Sequence, residues 1–478
     1  MDFSTTTNPL DHLDTDGIIV GVYKDQSCSL DHDSLKQKIT NSNFSGKKNK
    51  TRLFFGIDNI TSPIICLVGL GDAESSDAED LRIAVAIAAK TLQAEHCTSI
   101  AIQGLGNPKA VAEGLSLGLY SFDELKEKQD NDKNISKVIL SGSEDEFIYW
   151  SDGLIVAESQ NKARRLGELP ANIATPSYFV SEAEKYFADF DTVTVTGYDE
   201  QWATEQKMGA FLSVAKGSDE PARFLVLNYR GGNDTDQPLA LVGKGITFDT
   251  GGINIKSAAG MYEMRADCTG AAVVIGTVYG IAKLKLPLNV VGIAPLTENM
   301  PSGKASRPSD VVVASNGKSI EIGNTDAEGR LVLSDGLVYV EKTFNPHTII
   351  DIATLTGAMA RAIGAGVYLG ALSRSDELWN ELNIAGNQSG EQFWRFPLDK
   401  RYEKSLKSHM ADVKSTGGNP GQITAALYLG NFVNMERWAH LDIAGSAVSS
   451  KAEGYKPKGN TGVSVRALIQ LAKNYVSN

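Results

Sequence analysis

The sequence predicts an α/β protein with a small N-terminal α/β domain and a larger C-terminal α/β domain built on a mixed central sheet. Three observations carry this prediction. The chain has 478 residues, too many for one ordinary hydrophobic core. Short apolar runs of strand length alternate with stretches of helical periodicity. A cluster of helix breakers, Pro170-Ala171-Asn172 and Thr175-Pro176, then divides the pattern in two.

The first third of the chain alternates between the two kinds of element. Apolar runs predict strands at 17–22, 64–68, 99–103 and 137–140, and helical periodicity predicts helices at 76–92 and 110–125. Ser76 and Glu79 have the spacing of a capping box for the first of these helices. Glycine turns at Gly69-Leu70-Gly71 and Gly104-Leu105-Gly106 follow strands, but neither is completed to the GxGxxG pattern of a nucleotide site.

The remaining two thirds predict the larger domain. After a helical stretch at 151–169, strands are predicted at 192–196, 224–229, 239–242, 289–295 and 348–352, with helices at 271–283 and 331–342 among them. The predicted division is an N-terminal α/β domain at 1–148, a linker helix at 149–173 and a catalytic domain at 174–478.

Charge and composition exclude several classes of function. The formal net charge of −12 disfavours general nucleic-acid binding. Apolar runs are far shorter than the ~20 residues that span a bilayer, so no membrane partner is expected. The first residues show neither the basic nor the apolar region of a signal peptide. The four cysteines lack CxxC spacing, which favours a reducing, cytoplasmic location over a disulfide framework or a zinc ribbon.

A glycine-rich segment after the strand at 239–242 contains Lys244, Asp249 and Lys256. A P-loop is the first alternative, but Gly245 stands where that motif requires Ser or Thr. The other alternative is a glycine-rich turn in which these charged residues have no function. Asp267 follows in Met264-Arg265-Ala266-Asp267, just before an apolar helix, where a carboxylate is stabilising whether or not it binds anything.

The segment Asn324-Thr325-Asp326-Ala327-Glu328-Gly329-Arg330-Leu331 carries the strongest signal. In an extended loop, residues two apart share a face, so Asp326, Glu328 and Arg330 would point the same way. The alternative is an acidic turn in which Arg330 pairs with Glu328.

Together these segments supply four carboxylates (Asp249, Asp267, Asp326, Glu328) and three cations (Lys244, Lys256, Arg330). Four carboxylates in one partly buried pocket repel one another strongly unless metal charge offsets them. Two divalent ions would do so. The donors are hard oxygens, so Zn²⁺, Mn²⁺, Mg²⁺ and Co²⁺ all remain possible.

The segment at 324–331 resembles the signature octapeptide of the leucyl (cytosol) aminopeptidase family. The segments at 244–256 and 264–267 resemble that family's other metal-site motifs, in the same order. The likeness continues through Asp351-Ile352-Ala353-Thr354-Leu355-Thr356-Gly357-Ala358 and Trp438-Ala439-His440-Leu441-Asp442-Ile443-Ala444-Gly445. Several concordant motifs make chance convergence a poor explanation.

The resemblance implies a metal-dependent exopeptidase that releases N-terminal residues, leucine and other mainly apolar ones preferred. It places Lys244, Asp249, Asp267 and Glu328 on one metal ion and Asp249, Asp326 and Glu328 on the other, with Mn²⁺ or Zn²⁺ favoured. It puts Lys256 on the substrate carbonyl oxygen and Arg330 beside a bicarbonate general base. Met264, Thr354, Gly357 and Ala444 would line the specificity pocket.

The resemblance also implies a homohexamer of two stacked trimers that acts on peptides. Two other functions stay open on the sequence: a two-metal hydrolase of another ester or amide, and a DNA-binding hexamer as a secondary role. The acidic net charge argues against nucleic acid as the primary partner.

Overall fold

A computed structural model describes residues 1–25, 27–127 and 134–477. The described residues form two compact units. One comprises Met1–Glu158 with Ser450–Lys458, and the other Ser159–Ser449 with the residues from Gly459 on.

A largely parallel six-stranded sheet forms the first unit, in the order β1-β6-β5-β2-β4-β3. Its strands are β1 Asp2–Thr6, β2 Gly17–Tyr23, β3 Thr51–Phe55, β4 Ile64–Gly71, β5 Ser99–Gln103 and β6 Lys137–Ser141. The helices are α1 Asp33–Asn41, α2 Ala78–Ala94, α3 Pro108–Gly118 and α4 Glu144–Glu168, of which the residues from Ser159 on belong to the second unit. Only the edge strand β3 runs antiparallel to its neighbour, and α2 and α3 pack against each other.

The four predicted strands of this unit all lie within observed strands, but two helix details were wrong. Asp77, not Ser76, caps α2: its side chain accepts a hydrogen bond from the backbone N–H of Asp80 at 2.8 Å, and the Asp80 side chain completes the box. The predicted helix at 110–125 ends at Gly118, because the polar residues after it form no further helical turn.

The second unit contains a mixed nine-stranded sheet in the order β16-β15-β18-β14-β9-β11-β8-β7, with β10 paired to β11. The strands of the whole unit, including those that lie outside the nine-stranded sheet, are β7 Val193–Tyr198, β8 Arg223–Arg230, β9 Leu239–Gly243, β10 Gly245–Asp249, β11 Asn289–Asn299, β12 Val311–Val313, β13 Ser319–Glu321, β14 Thr348–Ala353, β15 Leu369–Ser373, β16 Phe393–Arg395, β17 Val413–Lys414, β18 Trp438–Asp442, β19 Val448–Ser449 and β20 Gly459–Asn460. The helices are α5 Pro176–Phe187, α6 Glu200–Glu205, α7 Gly209–Ala215, α8 Ala258–Met261, α9 Thr269–Lys283, α10 Glu328–Phe344, α11 Gly357–Ile363, α12 Asp376–Ser389, α13 Gly421–Leu429 and α14 Val465–Ser477.

The centre of this sheet is parallel and buried on both faces. β9 pairs in parallel with β11 and β14, and every residue of β9 and β14 is buried. Continuous apolar runs, rather than alternating ones, are typical of such strands. The helices α9 and α10 both pack on β9 and β11, which covers the sheet with apolar side chains. The mixed α/β architecture predicted from the sequence is confirmed.

Parallel strands bring functional residues together at one edge of the sheet. β9, β10 and β14 all end there, and α10 begins beside them. Ligands of open α/β sheets bind outside the carboxyl ends of the strands. The sequence interpretation missed β10, whose five residues lie in the glycine-rich segment.

In the described part of the chain, no helix combines the length and the apolar character needed to cross a bilayer.

Candidate active site

One cavity of about 630 Å³ in the second unit collects the predicted site residues. All eleven line it: Lys244, Asp249, Lys256, Met264, Asp267, Asp326, Glu328, Arg330, Thr354, Gly357 and Ala444. Segments more than 200 residues apart in the chain therefore meet in space. The convergence is a consequence of the shared edge at which the central strands end.

Lys244 lies in the single-residue junction between β9 and β10, and Asp249 is the last residue of β10. The junction passes very close to the start of α9. A Cβ atom on Gly243 would lie 2.3 Å from the carbonyl oxygen of Gly270, so only glycine permits this approach. The tight packing fixes the point from which the Lys244 side chain enters the cavity.

The carboxylates of the octapeptide come from a helix start, not from the predicted extended loop. Thr325–Ala327 form a 3₁₀ turn, and Glu328 is the first residue of α10. The Asn324 side chain caps the turn by accepting a hydrogen bond from the Asp326 backbone N–H at 2.9 Å. The prediction of an extended loop with alternate side chains on one face was therefore wrong, although the same residues reach the cavity.

Thr325 of the octapeptide forms hydrogen bonds with the glycine-rich loop that follows β10. Its hydroxyl donates to the Gly251 carbonyl at 2.7 Å and accepts from the Asn254 backbone N–H at 2.8 Å. The Asn254 side chain accepts from the Thr325 backbone N–H at 2.9 Å. Gly251 and Gly252 both have positive φ angles, 87° and 64°, which this turn requires. Lys256 is carried on the loop held in this way.

Asn299, at the end of β11, is a further supporting residue that sequence reasoning missed. Its side-chain amide donates to Asp249 Oδ1 at 2.8 Å and to the Thr325 carbonyl at 3.0 Å. The only sequence signal was its position at the end of an apolar run, which many asparagines share.

The two lysines are interleaved with the four carboxylates. Lys244 Nζ lies 2.8 Å from Asp267 Oδ2 and 2.8 Å from Glu328 Oε1. Lys256 Nζ lies 2.7 Å from Asp249 Oδ2 and contacts Asp326 Oδ1. Each ammonium group thus offsets part of the charge of two carboxylates. Four carboxylates, three of them buried, against two ammonium groups still leave an excess of negative charge.

The donor set fits divalent metal ions. One carboxylate oxygen from each of Asp249, Asp326 and Glu328 can be chosen so that all three lie within 4.8 Å of one another. Glu328 Oε2 is buried and has no hydrogen-bond partner among the described residues. A buried carboxylate oxygen without a partner is costly, and a cation removes that cost. The oxygen-rich set suits Mn²⁺, Mg²⁺ or Zn²⁺.

Burial and mutual repulsion perturb the acids of this cluster. Burial, with the charges of Glu328 and Asp267, raises the pKa of Asp249 to about 7. Burial and the Glu328 charge raise the pKa of Asp267 to about 6, against the opposing effect of Lys244. Burial lowers the pKa of Lys244, but Asp267 and Glu328 outweigh it, so this pKa is raised. Protons and cations therefore compete for the same oxygens.

Arg330 lies on the same wall and is buried. One guanidinium nitrogen donates to the Ser415 carbonyl at 2.6 Å, while Nε has no hydrogen-bond partner in the described residues. The alternative in which Arg330 pairs with Glu328 is not what the structure shows: the ion pair of Glu328 is with Lys244. Burial lowers the pKa of the guanidinium, against the opposing effect of Tyr428, Glu328 and Asp442.

Thr354 joins the predicted substrate pocket to the carboxylate cluster. Its hydroxyl donates to Asp267 Oδ1 at 2.7 Å, and its carbonyl accepts from Lys244 Nζ at 3.1 Å. Below this wall, the buried Asp351 carboxylate accepts from Trp438 Nε1 at 2.8 Å and pairs with His440. These bonds connect the neighbouring parallel strands β14 and β18 within the sheet.

Comparison with known proteins agrees with this geometry. The model of the cytosol aminopeptidase family catalytic domain matches residues 161–469, and that of the family's N-terminal domain matches residues 19–129. The chain belongs to the cytosol aminopeptidase family. The pig (Sus scrofa) cytosol aminopeptidase is 46% identical over 446 residues, which cover 90% of this chain and 85% of the relative. A probable cytosol aminopeptidase of Bordetella petrii is 39% identical over 501 residues, covering 98% and 99%.

Solved structures of cytosol aminopeptidase relatives share the whole fold. The bottromycin maturation enzyme BotP in complex with Mn superposes with a TM-score of 0.87 at 31% identity, covering 97% of this chain and all of that one. A tomato leucine aminopeptidase variant gives a TM-score of 0.87 at 30% identity, covering 99% and 96%. This cytosol aminopeptidase is accordingly a metal-dependent N-terminal exopeptidase, and its substrates are peptides.

Proposed function

We propose that this cytosol aminopeptidase removes leucine and other mainly apolar residues from peptide N-termini at the cavity that contains Asp249, Asp326 and Glu328. The observation that carries the proposal is the approach of three carboxylate oxygens to within 4.8 Å of one another, beside two lysines and an arginine. A purely structural cluster would gain nothing from a buried, unpartnered oxygen such as Glu328 Oε2.

Two divalent ions, Mn²⁺ or Zn²⁺ with Mg²⁺ or Co²⁺ as further possibilities, would be held by two overlapping ligand sets. Lys244, Asp249, Asp267 and Glu328 form one set, and Asp249, Asp326 and Glu328 form the other, so that Asp249 and Glu328 are shared. When bound, such ions lower the pKa of a water molecule and polarise the scissile carbonyl. Lys244 must lose its proton to act as a ligand, so metal binding by the first set would release a proton.

The chain's own residues orient the peptide. Lys256, on its fixed loop, donates to the scissile carbonyl oxygen and stabilises the negative charge that develops there. Asp267 accepts a hydrogen bond from the free α-amine, which selects an N-terminus over an internal peptide bond. Arg330, buried and with a free Nε, holds bicarbonate, which acts as the general base. The other charged side chains of the set are already assigned to the metal ions, the α-amine or the scissile carbonyl, so none of them is left to act as the general base.

The side chain of the N-terminal residue would lie against Met264, Thr354, Gly357 and Ala444. The Thr354 hydroxyl is already committed to Asp267, so it presents little free polarity to the substrate. A pocket of this composition favours apolar side chains.

Chelation and reconstitution test the proposal. The enzyme would be stripped of metal, assayed with leucine p-nitroanilide and reloaded with Mn²⁺ or Zn²⁺, with Asp326→Ala and an N-acetylated substrate in parallel. Hydrolysis that returns with metal, needs the free amine and is lost in the variant supports the proposal. A folded, metal-loaded enzyme that hydrolyses no N-terminal residue would overturn it.

We also propose that each chain is divided into an N-terminal domain at 1–148, a linker helix at 149–173 and a catalytic domain at 174–478. We further propose that the protein is a cytoplasmic homohexamer of two stacked trimers. Val367 and Trp394 support an assembly, since they are 69% and 55% exposed, and a second copy would cover such apolar side chains. Sedimentation velocity would test the proposal, because six copies and one copy differ greatly in mass.

A further inference from the structure

Arg361 lies on the wall of the catalytic cavity, one helical turn beyond Gly357. Residues four apart are neighbours on a helix face, and helical side chains lean toward the helix N-terminus. A Cβ atom on Gly357 would lie 3.4 Å from Nη1 of Arg361, in ordinary van der Waals contact with it. The Arg361 guanidinium therefore lies against the surface that would face the substrate.

Arg361 has no protein partner in the described ranges. No carboxylate is within ion-pair distance of it, and its guanidinium makes no hydrogen bond. Glu263, another acid that lines the cavity, pairs with Arg265 at 2.9 Å. Lys244 and Lys256 are each engaged with two carboxylates. Arg361 is thus a cation of the cavity wall that stays available to a substrate group.

We propose that Arg361 binds a carboxylate of the peptide substrate and so extends the enzyme's range to acidic peptides. The inference rests on the proposed function. A guanidinium presents paired N–H donors that match both oxygens of a carboxylate. That carboxylate has two sources: the side chain of an N-terminal Glu or Asp, or the C-terminal carboxylate of a dipeptide.

The nearby carboxylates and the exposure of Arg361 to solvent determine how strongly its replacement should change the substrate preference. The carboxylate cluster repels an acidic substrate, and Arg361 offsets that repulsion where the substrate enters. Because Arg361 is exposed, water and salt screen its charge. Replacing it should therefore change the preference for a charged over a matched neutral substrate by about two- to fivefold.

Pairs of substrates that differ in a single carboxylate distinguish the two possible sources of the carboxylate that Arg361 would bind. The metal-loaded, full-length enzyme would be assayed for kcat/KM with glutamyl and glutaminyl p-nitroanilide, and with Leu-Gly and Leu-Gly amide. The variants are Arg361→Gln and Arg361→Lys. The control is Arg307→Gln, which removes an exposed arginine paired with Asp310 outside the cavity. Each ratio would be measured at low and high salt.

A fall in the glutamyl/glutaminyl ratio in Arg361→Gln, partly restored in Arg361→Lys and absent in the control, supports binding of an N-terminal acidic side chain. A fall in the Leu-Gly/Leu-Gly amide ratio supports binding of the C-terminal carboxylate. Two unchanged ratios, in an enzyme that hydrolyses leucine p-nitroanilide, overturn the inference alone. Loss of leucine hydrolysis in the metal-loaded wild type would overturn the proposed function and this inference with it.

Discussion

The Asp442 carboxylate accepts a hydrogen bond from the Thr356 hydroxyl at 2.6 Å. Both groups are buried beside the cavity. The same carboxylate accepts from the backbone N–H groups of Leu355 and Ala444, each at 3.2 Å. One side chain therefore holds the segment after β14 and the segment after β18, which together form the proposed substrate pocket.

Replacing Asp442 by Ala should loosen both segments. The Thr356 hydroxyl and two backbone N–H groups would lose their acceptor, and buried unsatisfied donors cost about 1–3 kcal/mol each before relaxation. We expect a loss of about 2–4 kcal/mol in the free energy of unfolding, measured with urea, and a raised KM for leucine p-nitroanilide. Asp442→Asn keeps one acceptor oxygen and should lose less. Equal stability of the Ala variant and the wild type would contradict the role given to Asp442.

The two proposed metal sites can be told apart by substituting the ligands that they do not share. Asp267→Asn should remove one ion and Asp326→Asn the other, so each variant should retain about one ion per chain after dialysis. Asp249→Ala, which removes a shared ligand, should lose both. Elemental analysis would measure the stoichiometry, with Asp310→Asn as a carboxylate control outside the cavity. Two ions retained in both single-ligand variants would contradict the ligand sets.

Lys256→Met tests the ammonium group that faces the scissile carbonyl. The side chain keeps its approximate length but loses its charge, so stabilisation of the developing negative charge is lost. We expect kcat for leucine p-nitroanilide to fall by about 10²–10³, the effect typical of removing one such donor. Because Lys256 also pairs with Asp249 and Asp326, metal content must be measured in the same samples. An undiminished kcat at full metal content would exclude the role.

Much of the fold followed from the sequence because buried parallel strands leave an unambiguous pattern. The runs that became β9, β11 and β14 are mostly apolar and do not alternate with polar residues, since helices cover both faces of the sheet. Helix ends were less predictable. A capping box at Ser76 and one at Asp77 differ by a single position, and local spacing cannot choose between two good cap residues.

The site residues that could be predicted from the sequence are those that belong to a distinctive charged motif. Asp326, Glu328 and Arg330 were found because their types and spacing are distinctive, although their local structure was not. Asn299 and Asp442 each make a hydrogen bond to a residue 50 or more positions away along the chain, and no local pattern marks such a partner. Arg361 was missed for another reason: a lone arginine on a short helix is ordinary until the cavity beside it is seen.

Arg330 should make activity depend on bicarbonate. Its buried guanidinium has an unpartnered Nε, which suits a small anion held beside the substrate. We expect kcat to fall in carbonate-free buffer and to recover on addition of bicarbonate, by about 10²-fold, the lower end of the range typical of a general base. Arg330→Ala should be slow and indifferent to bicarbonate. A wild type whose rate is the same with and without bicarbonate would contradict this assignment.

Asp335 on α10 should give the second unit a stability that depends on pH. Its carboxylate is buried and accepts from the backbone N–H groups of Phe211 at 2.8 Å and Ser315 at 2.7 Å. Burial raises the pKa to about 6, against the opposing effect of those bonds. The folded state therefore binds the proton more tightly than the unfolded chain, whose aspartates titrate near ~3.9. The stability that this proton contributes is complete below pH ~4 and is lost as pH rises through the folded pKa.

Asp335→Asn removes this titration and leaves the other acids in place. The free energy of unfolding of the wild type, relative to the variant, should fall by up to about 3 kcal/mol between pH 4 and pH 7. Asn keeps one acceptor oxygen but presents an amide to the second backbone N–H, and that cost does not vary with pH. Urea unfolding at several pH values measures the difference between the two proteins. A difference that is flat across this range would show that Asp335 titrates as it does in the unfolded chain.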